Sequence, residues 1–143
     1  MVRKSNAEWR GDLKTGAGTV ALGSGAYSGP YSFQSRFESG TGTNPEELIA
    51  AAHAGCYSMA FSFAISLAGF APKRAHTVAS VKLEPAAGGG FAITGIELVM
   101  EAVIPAIEEA QFQAIAADAK ANCPVSKALA AVPISLRATL VSE

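Results

Sequence analysis

Charge is scarce in this chain: Asp, Glu, Lys and Arg make up 16% of its 143 residues, and half of all residues are hydrophobic. So lean a supply of polar surface is unusual for a soluble monomer and predicts a homodimer that covers part of the apolar surface. The net charge is −1 and the Lys and Arg residues form no cluster, which argues against nucleic acid or an anionic membrane as the main partner. Cysteine is scarce too. Only Cys56 and Cys123 occur, with no CxxC pair, so reduced thiols in a cytoplasmic protein are the expectation rather than a disulfide framework. His53 and His76 add little to them as zinc ligands, since no paired spacing is present, and neither a metal nor an organic cofactor is expected. No signal-peptide or lipidation pattern opens the sequence. A length of 143 residues fits one domain, 1–143, able to bury a core without staples.

What is present is one long apolar stretch, residues 43–70, around which the rest is organised. Asn44 can cap a helix, Pro45 suits its first position, and Glu47 stands where a capping box needs it. No Asp, Glu, Lys or Arg occurs from 48 to 70, and Gly69 and Pro72 supply the stop. The run is long enough to span a bilayer. However, its apolar content is mostly alanine diluted by His53, Gly55, Ser58, Ser62 and Ser66, and the flanking sequence alternates as β-strand does in soluble proteins. A central helix wrapped by sheet, completed by a second subunit, is the better reading.

In chain order, residues 4–13 and 19–22 read as a hairpin with turn chemistry between them. Residues 23–30 read as a flexible glycine-rich connection; no helix follows, so it is a poor phosphate loop. Residues 31–37 alternate aromatic and polar, predicting a third strand with Phe33 and Phe37 on one face and Arg36 on the other. After the central helix, residues 77–83 and 91–104 read as an antiparallel pair separated by a loop at 86–90. A second helix is expected from Pro105 or Ala106 to Asn122, with Ile107, Ala110, Gln111, Ala114, Ile115 and Asp118 at helical spacing. A short helix to Ala131 and a last strand over 134–141 complete an α+β fold of antiparallel sheets around a long helix.

Of the residues that could carry chemistry, the thiols come first. Cys56 lies inside an apolar helix, where burial raises a thiol pKa, so it needs a cation brought to it. Cys123 precedes Pro124 at a helix start, where free amides favour the thiolate, and on that physics it is the better nucleophile. The bland alternative is that both are small core residues. Arg36 either snorkels to water or pairs with an anion, and Glu46 suits the first turn of a helix whatever else it does. His53, three residues before Cys56, can touch it, but no third residue placed to orient the ring accompanies it. Tyr57, Met59, Phe61 and Phe63 are core by default, or the lining of an apolar pocket beside a thiol.

Taken together, SRFESGTGTNPEELIAAAHAGCYSMA and ANCPVSKAL resemble the OsmC/Ohr family, the osmotically inducible and organic hydroperoxide resistance proteins. The match covers essentially the whole chain, and the RFE-to-NPEEL spacing is closer to the OsmC branch. The resemblance implies an OsmC-like, intertwined homodimer and a thiol-dependent peroxidase that reduces organic hydroperoxides in preference to hydrogen peroxide. It further implies Cys56 as the peroxidatic nucleophile, Arg36 as the group that stabilises its thiolate and the peroxide, Glu46 as the residue orienting Arg36, and Cys123 as the resolving thiol. Recycling by a dithiol, either a lipoyl-type protein or a small thiol, follows from the same analogy. Tyr57 stands where the family usually has Phe, adding a hydroxyl beside the thiol that is expected to alter pocket polarity.

Helix geometry adds one expectation. Ten residues of straight helix span about 15 Å and turn through about 1000°, leaving Glu46 and Cys56 roughly 80° apart on different turns. One arginine can hardly serve both within a subunit, so a composite site is expected, with Arg36 and Glu46 of one copy serving Cys56 and Cys123 of the other. Two readings from other classes stand beside the peroxidase. One is a redox-sensing or small-molecule-binding protein that uses the same cysteine pair without turnover, and the other is a cysteine hydrolase built on Cys56 and His53.

Overall fold

The computed structural model describes residues 1–142 and divides them into two compact units, residues 1–48 and residues 49 onward. In the first unit β1 (Ser5–Arg10), β2 (Ala17–Leu22) and β3 (Ser28–Ser32) form an antiparallel sheet in that order. Between β1 and β2 the Asp12 carboxylate accepts from the amides of Lys14 and Thr15, both at 2.9 Å, so an Asx turn closes the hairpin.

Residues 33–37 depart from the sequence expectation. They form a short helix, α1 (Phe33–Phe37), and the third strand ends before them. The reason is a cap concealed by the alternation. Ser32 Oγ accepts from the Ser35 amide at 3.1 Å and Ser35 Oγ accepts from the Ser32 amide at 2.9 Å, a reciprocal capping box. A spacing of four puts Phe33 and Phe37 on one side of a strand and also on one side of a helix, where their rings meet at 4.9 Å. Residues 23–30 are likewise more ordered than a flexible connection, because β3 already begins at Ser28.

The long helix α2 (Pro45–Leu67) starts where the sequence places it. Asn44 Oδ1 accepts from the Glu47 amide at 2.8 Å, as an N-cap should. The Glu47 carboxylate does not complete the box as expected; it accepts from the Thr43 hydroxyl at 2.7 Å. Just before this cap Gly42 has φ +112, and a Cβ there would lie 2.7 Å from the Pro30 carbonyl, so only glycine fits.

The second unit holds the remainder of α2, β4 (Arg74–Pro85), β5 (Phe91–Val103), α3 (Glu109–Asn122), α4 (Pro124–Ala128) and β6 (Ile134–Leu140). Its sheet runs β4-β5-β6, with β4 antiparallel to β5 as expected and β6 parallel to β5. A parallel pair requires a crossover, and α3 and α4 provide it. Gln113 and Lys120 tie α3 to the last strand by donating to the carbonyls of Ala138 and Ile134 at 2.8 and 3.1 Å. α3 begins later than expected because Ala106 takes a left-handed φ of 64 after Pro105, which no helix accommodates. Its buried stripe is Phe112, Ala116 and Ala119, not the set phased on Ile107, which lies outside the helix.

The core joins Tyr57, Phe61 and Ile65 of α2 to Leu98, Met100 and Phe112, all fully buried. These three α2 residues recur at every fourth position, and Phe61 meets Phe112 edge-on at 5.7 Å. Met59, Phe63 and Leu67 on the same helix stay exposed, so α2 is apolar on two faces and only one of them is covered by its own unit. Phe61→Ala leaves a cavity at the centre of this cluster and is expected to lower unfolding stability by about 3–5 kcal/mol, read from the denaturant midpoint at an unchanged slope.

Candidate active site

The four residues singled out in the sequence fall into two pairs, one in each unit. In the first, Arg36 stands in the last turn of α1 and Glu46 in the first turn of α2. Arg36 Nη2 donates to Glu46 Oε1 at 2.7 Å, and its Nε donates to both carboxylate oxygens at 3.2 Å. The segment between them is fastened at both ends: Ser35 Oγ donates to the Thr43 carbonyl at 2.7 Å and Asn44 Nδ2 donates to the Ser35 carbonyl at 3.0 Å. Glu46 is buried while the Arg36 side chain keeps about a third of its surface, and its guanidinium also lies 5.2 Å above the Phe37 ring. A bidentate pair of this kind fixes the plane of the guanidinium and leaves its remaining N–H groups to be directed elsewhere.

In the second unit Cys56 and Cys123, separated by 67 residues in the chain, bring their sulfurs to 3.0 Å. Both are free thiols, since a disulfide bond is about 2.05 Å long. Cys123 ends α3 and stands at the N-cap position of α4: its own amide donates to the Ala119 carbonyl, and the Val125 and Ser126 amides of the first turn of α4 favour its thiolate. Burial pushes Cys123 upward, but hydrogen bonds from Cys56, from the Ser126 amide and hydroxyl, and from the Val125 amide outweigh it and leave this thiol below its ordinary pKa. Cys56 moves the other way. Burial raises it first and the contact with Cys123 raises it further, with only the Val125 amide opposing. Either S–H can donate while both thiols are neutral; once Cys123 has lost its proton, the Cys56 S–H donates to the thiolate. The first-turn amides that the helix-end argument invokes are among the groups that favour the Cys123 thiolate.

Access runs opposite to acidity. Cys123 has no exposed surface, whereas Cys56 opens onto a groove of about 580 Å³ lined by Met59, Phe63, Leu67 and Pro124. Tyr57 does not alter this groove as expected: its ring is buried and its hydroxyl donates to the Ala116 carbonyl at 3.1 Å, pinning α2 to α3. His53 is fully buried, and its Nε2 lies 2.7 Å from Ser126 Oγ. Ser126 was not among the residues picked out from the sequence. Its signal was its position three residues after Cys123, the spacing at which a side chain meets the residue that caps its helix.

An OsmC-like family model matches residues 38–137, which includes the Glu46, Cys56 and Cys123 positions. Peroxiredoxin OsmC of Escherichia coli K12 is 49% identical over 130 residues, covering 90% of each chain. The chain belongs to the OsmC-like family. OsmC/Ohr proteins share its fold: the organic hydroperoxide resistance protein OhrB of Bacillus subtilis superposes with a TM-score of 0.72 at 23% identity, over 96% of this chain and 98% of the other. An OsmC-like protein of Mycoplasma pneumoniae reaches 0.76 at 14% identity, over 99% and 98%. The α+β class expected from the sequence is thus the family's own, and at the level of the family the activity is that of a peroxidase.

The pair's acidities give a test with a definite sign. Cys56→Ala removes a hydrogen bond that lowers Cys123 but leaves Cys123 buried, so the ionisation of Cys123 should move to higher pH. Ultraviolet thiolate absorbance followed against pH measures it, and a midpoint that stays in place or falls contradicts the arrangement.

Proposed function

We propose that this protein reduces organic hydroperoxides to alcohols through a Cys56 sulfenic acid and a Cys56–Cys123 disulfide, and that a dithiol, from a lipoyl-type protein or a small thiol, restores the pair. The observation that carries the reading is the 3.0 Å contact between a reachable sulfur and a buried one. Loss of one proton leaves a single negative charge shared across that contact, and only Cys56 can present it to a substrate in the groove. The thiolate attacks the distal peroxide oxygen, the O–O bond breaks, and the alkoxide leaves as alcohol after taking a proton. Cys56 is left as the sulfenic acid. Cys123 then attacks the Cys56 sulfur, and the S–O bond breaks with loss of water. Met59, Phe63 and Leu67 favour the organic substrate by removing its hydrocarbon part from water.

Within its own unit Cys56 is raised and, among the described residues, no cation is among the groups acting on it; Arg36 is the group that answers this need. A guanidinium brought within about 4–6 Å lowers a thiol pKa by roughly 1–3 units and can donate to the peroxide oxygens as charge develops. Glu46 holds it in plane through two oxygens. In this reading the protein is a cytoplasmic homodimer with composite sites, Arg36 and Glu46 of one copy serving Cys56 and Cys123 of the other, and the exposed Met59, Phe63 and Leu67 face of α2 is apolar surface available to such an assembly.

Steady-state consumption of cumene hydroperoxide and of hydrogen peroxide with dihydrolipoamide tests the reaction. The organic peroxide should be consumed faster, Cys56→Ser should be inactive, and Cys123→Ser should turn over once and stall. Disulfide formation without multiple turnover would favour the redox-sensing alternative instead. Composite sites predict complementation: mixing inactive Arg36→Ala and Cys56→Ser subunits should restore about a quarter of parental activity, because half of the dimers are mixed and each has one intact site. Sites contained within one subunit would restore none.

A further inference from the structure

His53 and Ser126 have no part in the reaction as described so far, yet they form a buried polar contact between the helix that carries Cys56 and the helix that Cys123 precedes. They come from α2 and α4, 73 residues apart, with 0% and 5% of their surface exposed, and their facing atoms are 2.7 Å apart. Burying two polar groups costs desolvation on both sides, which the bond between them has to offset.

The direction of the bond follows from the other side of the ring. His53 Nδ1 is buried and has no hydrogen-bond partner. A buried N–H without an acceptor is rarer and costs more than an idle lone pair, so the proton belongs on Nε2 and is donated to Ser126 Oγ. Burial also lowers the His53 pKa, which keeps the ring neutral and this tautomer in place at ordinary pH. With Oγ occupied as an acceptor, the Ser126 hydroxyl proton is free for another acceptor, and the group at hand is Cys123, which stands three residues earlier as the N-cap residue of the same helix and whose thiolate the Ser126 hydroxyl favours.

We propose that His53 and Ser126 are positioning residues for the resolving step: His53 Nε2–H locks the Ser126 rotamer so that the Ser126 hydroxyl donates to Cys123 and stabilises the thiolate that attacks the Cys56 sulfenic acid. The inference rests on the peroxidase reading. In the step concerned, the Cys123 thiolate forms the S–S bond and is oxidised, the Cys56 sulfur is reduced, and the S–O bond breaks. The departing hydroxide takes up the proton that Cys123 had released and leaves as water. No further oxidant or reductant enters. His53 remains neutral throughout and acts only through Ser126.

Single-turnover kinetics with cumene hydroperoxide separate the steps, with peroxide loss reporting the first and quenched mass analysis of the disulfide reporting the second. Ser126→Ala should slow disulfide formation about tenfold, the scale of one lost hydrogen bond to an anion, and do so by prolonging the lifetime of the trappable sulfenic acid. Ser126→Thr, which keeps the hydroxyl, should recover most of the rate. His53→Gln, which can still donate from a comparable position, should resolve faster than His53→Leu. Should Ser126→Ala not fold, the His53 pair alone decides, and equal rates for Gln and Leu overturn the inference. Condensation at the parental rate in Ser126→Ala, or no recovery with Thr, overturns it as well while leaving the peroxidase reading intact. A parent protein that consumes no peroxide removes both.

Discussion

The candidate site depends on one contact, two sulfurs held 3.0 Å apart by elements from distant parts of the chain. Cys56 is carried by a helix whose buried stripe, Tyr57, Phe61 and Ile65, sets its rotation against the sheet. Cys123 stands where α3 gives way to α4, its backbone bonded into the first helix and its residue placed at the N-cap of the second. Tyr57 fastens the two carriers directly through its bond to Ala116. None of these restraints is chemical in purpose, and together they remove the freedom that would otherwise make a meeting of two thiols rare.

At that contact acidity and access are separated. The more acidic sulfur is sealed, and the reachable one is made less acidic by the same burial that shapes the groove. A protein that had only one of these thiols would face a choice between a protected thiolate and an accessible thiol. Placing the two in contact lets a proton move between them, so that the ionised state of the pair can be used at its open end. Arg36 and Glu46 form a second, independently braced pair, and the three hydrogen bonds between them make the guanidinium a rigid donor rather than a mobile surface charge.

Features encoded locally were legible in the sequence. Asn44 before Pro45 and the Asp12 turn both act through neighbours two or three residues away, and both are where the residues place them. The α+β class followed from the succession of periods. Failures came where one spacing served two structures, as with Phe33 and Phe37, or where alanine diluted the signal, as in α3, whose phase is set by the single aromatic Phe112. The parallel placement of β6 is a tertiary choice that strand alternation does not encode. At the site, the cysteines stood out because they are rare and Arg36 because charge is scarce. Ser126 is an ordinary residue in a common setting, and only its approach to His53 across 73 residues gives it a role. The direction of the Tyr57 hydroxyl was equally hidden, since a tyrosine in place of phenylalanine does not declare which way its oxygen turns.

The parallel pairing of β6 with β5 also bears on how the molecule is made. Strand β6 follows α3 and α4 in the chain, so it can lie down beside β5 only after both helices have been synthesised. Non-local pairing of this sort is slow compared with helix or hairpin formation. During biosynthesis Cys56 therefore emerges 67 residues before Cys123, and the two sulfurs can meet only once α3 has carried the second one back to the central helix. Until then a nascent chain carries Cys56 without the sulfur it touches in the finished fold.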